Sequence, residues 1–281
     1  MRDESVFQRA YDAVLERWPL PVRAVDVTTR HGRTRVHVSG PVDGGTAPPL
    51  VLLPGGGTTS LAWYATVGEL ARTRRVYAVD LLGDIGRTDS GAPPRNADDL
   101  VEWFDAVLDG LGLNRARVCG HSYGAWIALR HALLLPHRYE GLALLDPVNC
   151  FSPMSPRYLL RALPLALRPG AGRVLAFHRW ETGAEPGDPV WREFLGATAV
   201  AHRSKVLMMR RPTASALREC GVPVLLVLAG RSRAHDPRRA AATARALLPD
   251  VRVHILPDAS HHSLPTEAPE RLTPLLAEFT D

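Results

Sequence analysis

The 281-residue sequence predicts an α/β fold with a mostly parallel central sheet flanked by helices. Short, mainly apolar runs of strand length recur from residue 50 onward, and amphipathic stretches of helical spacing separate several of them. Strands that are mainly apolar rather than alternating are typical of a parallel sheet covered on both faces. The runs are Leu50–Leu53, Val76–Val79, Ala116–Cys119, Leu142–Leu145, Val222–Leu228 and Val251–Leu256.

The segment before these runs predicts one helix and two strands. Apolar side chains recur at helical spacing over Phe7–Trp18, and a proline follows. Apolar and polar residues then alternate over Val22–Thr29 and Thr34–Ser39, which is typical of strands with one buried face. We therefore expect an N-terminal helix that packs on the body of the fold, followed by two strands joined by a turn at His31 and Gly32.

Residues 151–219 break this alternation of strands and helices. They show no clear strand pattern, and prolines interrupt helical fragments that carry bulky apolar side chains. We expect a single domain over residues 1–281, with residues 151–219 inserted between two strands as a helical cap. The tryptophan, methionine and leucine content of this cap favours a mainly apolar binding pocket.

Composition and charge are those of an ordinary globular chain. Hydrophobic residues make up 46% and charged residues 22%, the net charge is +5, and Lys205 is the only lysine. The arginines are scattered and often neighbour acids, whereas a nucleic-acid-binding surface usually shows a basic stripe with interleaved aromatics. No segment reaches the roughly 20 apolar residues that cross a bilayer. We expect neither a nucleic-acid partner nor a membrane partner.

Three cysteines, Cys119, Cys150 and Cys220, match no metal-binding or redox spacing. The charged N-terminus lacks the apolar core of a signal peptide. We therefore expect unpaired thiols in a reducing compartment and a cytoplasmic protein that needs no metal and no cofactor.

The strongest chemical signal is the motif Gly120-x-Ser122-x-Gly124, which stands between a predicted strand and a predicted helix. A sharp turn at this point lifts the serine hydroxyl out of the sheet, and glycines two positions before and after leave room for the turn. The new helix directs its N-terminus at the serine, which favours a negative oxygen there. We predict that Ser122 is a nucleophile.

A glycine loop, residues 55–57, directly follows the strand Leu50–Leu53. Acyl transfer builds a negative oxygen that backbone N–H groups usually stabilise. We expect one donor of this oxyanion hole from Tyr123, next to the serine, and the other from Gly56. The loop lacks the Gly-Lys-Ser/Thr of a nucleotide-binding loop, and a merely structural turn is the other interpretation.

A general base must take the proton of the serine, and two adjacent histidines stand in the loop after the last predicted strand. Histidine titrates near neutral pH, so it suits this role. We favour His262, and His261 remains open. No acid or cysteine stands at a spacing that would make these histidines zinc ligands.

Glycine loop, serine turn and C-terminal histidine, in this order, resemble the α/β-hydrolase superfamily, and more closely its bacterial carboxylesterases. The likeness covers most of the chain, including Asp80–Thr88. It implies an α/β-hydrolase fold and places the base where His262 stands, five residues before Glu267. The usual His-Gly of the oxyanion loop is Pro54-Gly55 here, which leaves a backbone donor intact.

The acid of the triad is the point at which the chain departs from this family. The resemblance places the acid three residues after the glycine that ends the penultimate strand, but the third residue after Gly230 is Arg233. Asp236 is the nearest acid and our first choice, although Asp236 followed by proline is also typical of a helix N-cap. Asp146, at the end of the preceding strand, is the rival, and a site without an acid is the third interpretation.

The resemblance implies a serine hydrolase that forms an acyl-enzyme on Ser122. Its substrate would be a carboxylic ester, lactone or thioester with a small apolar acyl group. A serine nucleophile argues against the chemistry of epoxide hydrolases and haloalkane dehalogenases, which use aspartate at this position. The displaced acid motivates an alternative: a non-hydrolytic protein of the same fold, either a cofactor-free cyclase or lyase of secondary metabolism or a ligand-binding receptor.

Overall fold

Eight strands form one sheet at the centre of the computed structural model, which describes residues 2–91, 93–199, 207, 210–266 and 269–280. The strands are β1 (Arg23–Thr29), β2 (Gly32–Ser39), β3 (Leu50–Leu53), β4 (Val76–Val79), β5 (Ala116–His121), β6 (Tyr139–Leu145), β7 (Val224–Ala229) and β8 (Val251–Leu256). Their order in the sheet is β1-β2-β4-β3-β5-β6-β7-β8. β2 is antiparallel to both of its neighbours, and all other adjacent pairs are parallel. The predicted α/β class with a mostly parallel sheet is confirmed.

Both faces of the central part of this sheet are buried, which explains why β3 and β7 are apolar at every position. Val51 and Leu53 of β3 pack in one hydrophobic core, whereas Leu50 and Leu52 pack in the other. Alternate residues of β7 divide between the two cores in the same way. Because successive side chains of a strand point to opposite faces, a strand between two cores has no solvent-facing position.

Ten α-helices lie among the described residues. They are α1 (Arg2–Leu15), α2 (Val67–Leu70), α3 (Ala97–Gly110), α4 (Ser122–Leu134), α5 (Pro156–Leu167), α6 (Ala171–Thr182), α7 (Pro189–Thr198), α8 (Ala214–Arg218), α9 (Pro237–Leu247) and α10 (Pro269–Thr280). Helices α3, α4 and α9 cover one core, and α1, α2, α7 and α10 cover the other. None of the helices that the structure describes combines the length and apolar composition that crossing a membrane requires. Glu267, which follows the predicted base His262 by five residues, lies outside the described residues.

Polar contacts as well as apolar packing hold α1 on the body of the fold. Tyr11 is fully buried, and its hydroxyl donates to Asp80 Oδ2 at 3.0 Å. The helix ends at Leu15, earlier than the apolar spacing predicts. Trp18 lies beyond it and donates its indole N–H to Ser39 Oγ at 2.8 Å. The indole thereby ties the end of this segment to β2.

Helices α5 to α8 lie between β6 and β7, in the segment where the sequence predicts an inserted cap. The structure describes no strand in this segment, of which residues 200–206 and 208–209 lie outside the described part. Tyr158 of α5 and Phe177 of α6 meet edge to face with ring centroids 5.2 Å apart. Trp191 and Phe194 place α7 in the same core as α1. The segment is thus packed both on itself and on the body of the fold.

Candidate active site

Ser122 stands on a sharp turn between β5 and α4. Its φ is 52°, a left-handed conformation that residues other than glycine rarely adopt. A Cβ on Gly120 would lie 2.6 Å from the backbone of Ala125, and one on Gly124 would lie 2.3 Å from the carbonyl oxygen of Pro54. Glycine is required at both positions, so the motif packs strand, helix and glycine loop closely around the serine.

His261, in the loop after β8, is the histidine that reaches Ser122. Its Nε2 lies 2.8 Å from Ser122 Oγ, and its Nδ1 lies 2.7 Å from Asp146 Oδ2. An ionised carboxylate only accepts hydrogen bonds, so Nδ1 carries the proton of the neutral ring and Nε2 is left as an acceptor. The Ser122 hydroxyl therefore donates to Nε2, and this is the direction in which a general base removes a proton.

The prediction that His262 is the base is wrong in this geometry, and His261, the open alternative, occupies the position. His262 Nε2 lies 3.0 Å from the Tyr158 hydroxyl on α5. The two adjacent imidazole rings are nearly perpendicular, at 87°, and they contact different side chains: His261 meets Ser122 and His262 meets Tyr158. Burial lowers the pKa of His262 to about 3, which makes it a poor proton acceptor at neutral pH.

The prediction that Asp236 is the acid is also wrong, for a local reason. Its carboxylate accepts the backbone N–H groups of Arg238 and Arg239 at 2.9 and 3.1 Å, as the N-cap of α9. Pro237 follows at the first helical position. The carboxylate therefore faces its own helix, whereas the rival, Asp146, is fully buried beside His261.

Asp146 directly follows β6 and is held by groups that come from β7 and the loop after it. Oδ1 accepts the backbone N–H of Ala229 at 3.0 Å, and Oδ2 accepts the Ser232 hydroxyl at 2.7 Å. His235 Nε2 lies 3.0 Å from Oδ1, at ion-pair distance. Burial alone would raise the pKa of Asp146, but its contacts with His235 and His261 hold that pKa well below the usual range. The acid therefore stays ionised at neutral pH.

Two further buried side chains hold the loop that carries His261. Glu181 of α6 accepts the backbone N–H groups of His261 at 3.1 Å and of His262 at 3.0 Å. His121 donates from Nε2 to the His261 carbonyl oxygen at 2.9 Å, and burial lowers the pKa of His121 to about 3, so its ring is neutral. The sequence contains no signal for Glu181, because an acid in a helix is common. Ser232 and His235 share one weak signal, since they flank the position where the family usually has its acid.

The predicted oxyanion donors border the same cavity as Ser122. Gly56 and Tyr123 both line it. Tyr123 lies in the first turn of α4, where backbone N–H groups have no acceptor within the helix. The N–H of Gly124 donates to the carbonyl oxygen of Pro54 at 3.1 Å, which fixes the glycine loop against the start of α4.

A cavity of about 430 Å³ opens beside Ser122. Much of its wall comes from the segment between β6 and β7, through the apolar side chains of Tyr158, Leu165, Val174, Phe177 and Leu195. No acid, lysine or arginine stands among the described residues that line it. Such a cavity suits an uncharged and mainly apolar ligand.

A group that could hold a metal ion lies outside this cavity. His31, Asp99 and Glu102 bring their possible ligand atoms within 4.8 Å of one another. Arg30 contacts Glu102, and Arg95 pairs with Asp99 at 3.2 Å. These arginines already neutralise the two acids, so surface ion pairs explain the group.

The fold and the hydrogen-bonded serine, histidine and aspartate are those of a hydrolase-type site, and the comparison with known families identifies the family. The model of the alpha/beta hydrolase family matches residues 50–275. The chain belongs to this family. The predicted α/β-hydrolase fold is confirmed.

The similarity extends to particular carboxylesterases. Carboxylesterase YbfK from Bacillus subtilis is 29% identical, over 97% of this chain and 93% of the relative. The uncharacterised carboxylesterase nap from the same organism is 28% identical, over 91% of this chain and 86% of the relative. The crystal structure of naproxen esterase (carboxylesterase NP) from Bacillus subtilis superposes with a TM-score of 0.91 at 26% identity, covering 100% of this chain and 99% of that one. The predicted resemblance to bacterial carboxylesterases is confirmed.

Proposed function

We propose that this protein is a serine hydrolase of carboxylic esters in which Ser122 is the nucleophile, His261 the general base and Asp146 the orienting acid. One observation carries the assignment of residues: hydrogen bonds run without a break from Ser122 Oγ through His261 to Asp146. Similarity to two carboxylesterases over at least 91% of the chain supports the ester bond as the target.

Acylation begins when Ser122 Oγ attacks the carbonyl carbon of the ester while His261 Nε2 takes its proton. The carbonyl electron pair moves onto oxygen, and the N–H groups of Tyr123 and Gly56 stabilise the resulting oxyanion. Asp146 keeps Nδ1–H in place and stabilises the imidazolium. Collapse of the tetrahedral intermediate breaks the bond to the alcohol, which leaves with the proton from His261. An acyl ester on Ser122 remains.

Deacylation repeats these steps with water as the nucleophile. His261 Nε2 takes a proton from water as the water oxygen attacks the acyl carbon. The second tetrahedral intermediate collapses, Ser122 Oγ leaves with the proton from His261, and the carboxylic acid is released. One ester and one water therefore become one alcohol and one acid, and the triad returns to its starting state.

The apolar lining of the cavity supports a small, uncharged acyl group as the substrate part that is bound. Lactones and thioesters of the same size contain the same electrophilic carbon and are further candidates. We also propose that residues 151–219 act as the cap of a single domain, since Tyr158 and Phe177 from this segment border the cavity. Neither a membrane-spanning segment nor a nucleic-acid partner is part of this proposal.

The alternative function, a non-hydrolytic protein of the same fold, depends on the displaced acid. Asp146 lies 2.7 Å from His261 Nδ1, so a carboxylate is present beside the proposed base. The missing acid after Gly230 therefore no longer favours a non-hydrolytic protein. Cytoplasmic location stays a proposal, which the three free, buried cysteines support.

A fluorophosphonate probe tests the proposed nucleophile, because it forms a covalent bond with an activated serine. We expect the protein to be labelled and to hydrolyse a short-chain p-nitrophenyl ester, and we expect Ser122→Ala to lose both the label and at least about 10³-fold in kcat. Ser39→Ala is the control, since Ser39 is also buried but pairs with Trp18, away from the cavity. A folded Ser122→Ala variant that still takes up the label would refute the assignment.

A further inference from the structure

Exposed leucines are concentrated on one helix of this protein. Of the large apolar side chains that the structure describes as exposed, four lie on α5: Leu159 (50% exposed), Leu160 (70%), Leu163 (49%) and Leu167 (71%). The others, Val6, Val42, Leu134 and Ile255, come from separate parts of the chain. Single exposed apolar residues are ordinary, whereas a cluster on one helix indicates a contact surface.

Helical geometry divides α5 into three faces. With 3.6 residues per turn, the four leucines fall within an arc of about 100°, which we call the leucine face. A second arc of about 100° holds the residues that line the cavity beside Ser122: Tyr158, Ala162, Leu165 and Ala166. A third arc, of about 40°, carries the basic side chains Arg157 and Arg161, and Arg168 follows directly at the C-cap of the helix. One helix therefore forms a cavity wall inward, while outward it presents leucines beside a row of arginines.

The surroundings of the leucine face are positively charged. From Pro153 to Trp180 the sequence contains five arginines and no aspartate or glutamate: Arg168, Arg173 and Arg179 add to the two on α5. Arg179 pairs with Glu185 at 3.3 Å. All five arginines are exposed. An apolar helix face bordered by arginines is the pattern of helices that lie in the interface of an anionic bilayer.

A second copy of this chain fits this surface poorly. A two-fold symmetric contact places the same patch of both subunits against itself. The arginines of the two copies would then lie close together without an acid on α5 to neutralise them, and like charges across an interface oppose association. The charge of the patch thus favours an anionic partner.

We propose that the leucine face of α5 docks on an anionic lipid surface, with the leucines in the headgroup region and the arginines on lipid phosphates. This inference replaces the expectation that the protein has no membrane partner, and it concerns surface attachment only. Docking would bring the helix that walls the apolar cavity to the lipid surface, where apolar esters accumulate. Binding does not require turnover, so the test is independent of the proposed catalytic roles.

Co-sedimentation with vesicles tests this proposal. We expect the protein to sediment at least about tenfold more with vesicles of phosphatidylglycerol and phosphatidylcholine than with phosphatidylcholine alone. The double variant Leu160→Gln/Leu167→Gln should lose at least about tenfold of this binding. Arg157→Gln/Arg168→Gln should weaken binding to the anionic vesicles and abolish the preference for them. None of these residues lines the cavity, and the thermal unfolding midpoint of each variant checks that it is folded.

Leu134→Gln is the matched control, because Leu134 is 56% exposed at the end of α4. We expect its binding to match that of the unchanged protein. The proposal is overturned if the unchanged protein does not sediment with anionic vesicles. It is also overturned if Leu134→Gln loses as much vesicle binding as the α5 leucine variant. It is also overturned if sedimentation equilibrium shows a dimer that the leucine variant dissociates, since the face would then join two copies of this chain.

Discussion

The reactivity of Ser122 depends on which nitrogen of His261 carries the proton. Asp146 accepts from Nδ1, so Nε2 keeps its lone pair for the serine hydroxyl. The other partners of Asp146 include a backbone N–H from Ala229 and the hydroxyl of Ser232, both of which donate. A carboxylate surrounded by donors stays ionised although it is buried. Its Oδ2 fixes the proton on Nδ1 of His261, while its Oδ1 lies at ion-pair distance from His235.

The adjacent histidines offer a matched pair of variants. We expect His261→Gln to lower kcat for a p-nitrophenyl ester by at least about 10³-fold, because glutamine can accept a hydrogen bond from Ser122 but cannot take up its proton. His262→Gln should keep kcat within about tenfold, since glutamine can still meet the Tyr158 hydroxyl. Steady-state kinetics measures both. A larger loss of kcat in His262→Gln than in His261→Gln would contradict the assignment of His261 as the base.

The two candidate acids offer a second matched pair. Asp146→Asn should lower kcat by about 10²- to 10⁴-fold, because the amide cannot hold the Nδ1–H tautomer of His261 or stabilise its positive charge. Asp236→Asn should leave kcat within about twofold and stability nearly unchanged, because asparagine is also a good N-cap. Kinetics and thermal unfolding of both variants check this. Equal rate losses would contradict the assignment of Asp146.

At the scale of elements, α6 and β5 hold the loop after β8. Glu181 near the end of α6 accepts two consecutive N–H groups of the loop, and His121 at the end of β5 donates to the carbonyl oxygen of His261. Burial alone would raise the pKa of Glu181, but the nearby rings of His262 and His261 and the backbone donors lower it. The position of His261, the proposed base, therefore depends on a charged carboxylate from the segment between β6 and β7.

Glu181→Gln tests this dependence. One oxygen is replaced by an NH₂ group that cannot accept a backbone N–H, so the loop shifts and the geometry between His261 and Ser122 is lost. We expect kcat to fall by about 10- to 10²-fold with a smaller change in KM, measured below the unfolding temperature of the variant. Glu185→Gln is the control, because Glu185 pairs with Arg179 at the surface. An unchanged kcat per folded molecule would leave Glu181 a structural residue only.

At the scale of the whole molecule, burial keeps several histidines neutral. His131 is fully buried on α4, with Nδ1 2.9 Å from the Tyr139 hydroxyl. Burial, followed by the charges of Arg138 and His137, lowers the pKa of His131 to about 3. Burial similarly lowers the pKa of His121 and of His262 to about 3. Below about pH 6.5 these histidines are therefore protonated in the unfolded chain but stay neutral in the folded state.

This difference predicts how stability depends on pH. An unfolded histidine titrates near pH 6.5. Between about pH 6.5 and about pH 3 the unfolded chain binds protons that the folded chain does not, so the free energy of unfolding falls as pH falls. We expect His131→Asn to reduce this slope by about 1.4 kcal/mol per pH unit, measured by urea unfolding between about pH 6 and pH 4.5. A slope equal to that of the unchanged protein would show that His131 is protonated in the folded state.

Much of the fold follows from patterns between residues that are close in the chain. Apolar runs predict β3, β4 and β8 with the bounds that the structure has, because each run is one strand between two turns. The turn at Ser122 is also local, since its glycines and its serine lie within five consecutive residues. The N-cap at Asp236 is local too, and the same residues that make it a cap direct its carboxylate away from His261.

The α/β order, the turn that presents Ser122 and the glycine loop beside it follow from the sequence alone, because these depend on neighbours along the chain. The folded chain brings His261 rather than His262 to Ser122, and Asp146 rather than Asp236 to His261. The side chains of adjacent loop residues point in different directions, which the sequence does not show. A sequence also cannot tell which of two aspartates, one after a strand and one at the start of a helix, lies beside a histidine that is distant in the chain. The leucine face of α5 was undecided for the same reason: which side of a helix meets solvent depends on what the rest of the chain packs against it.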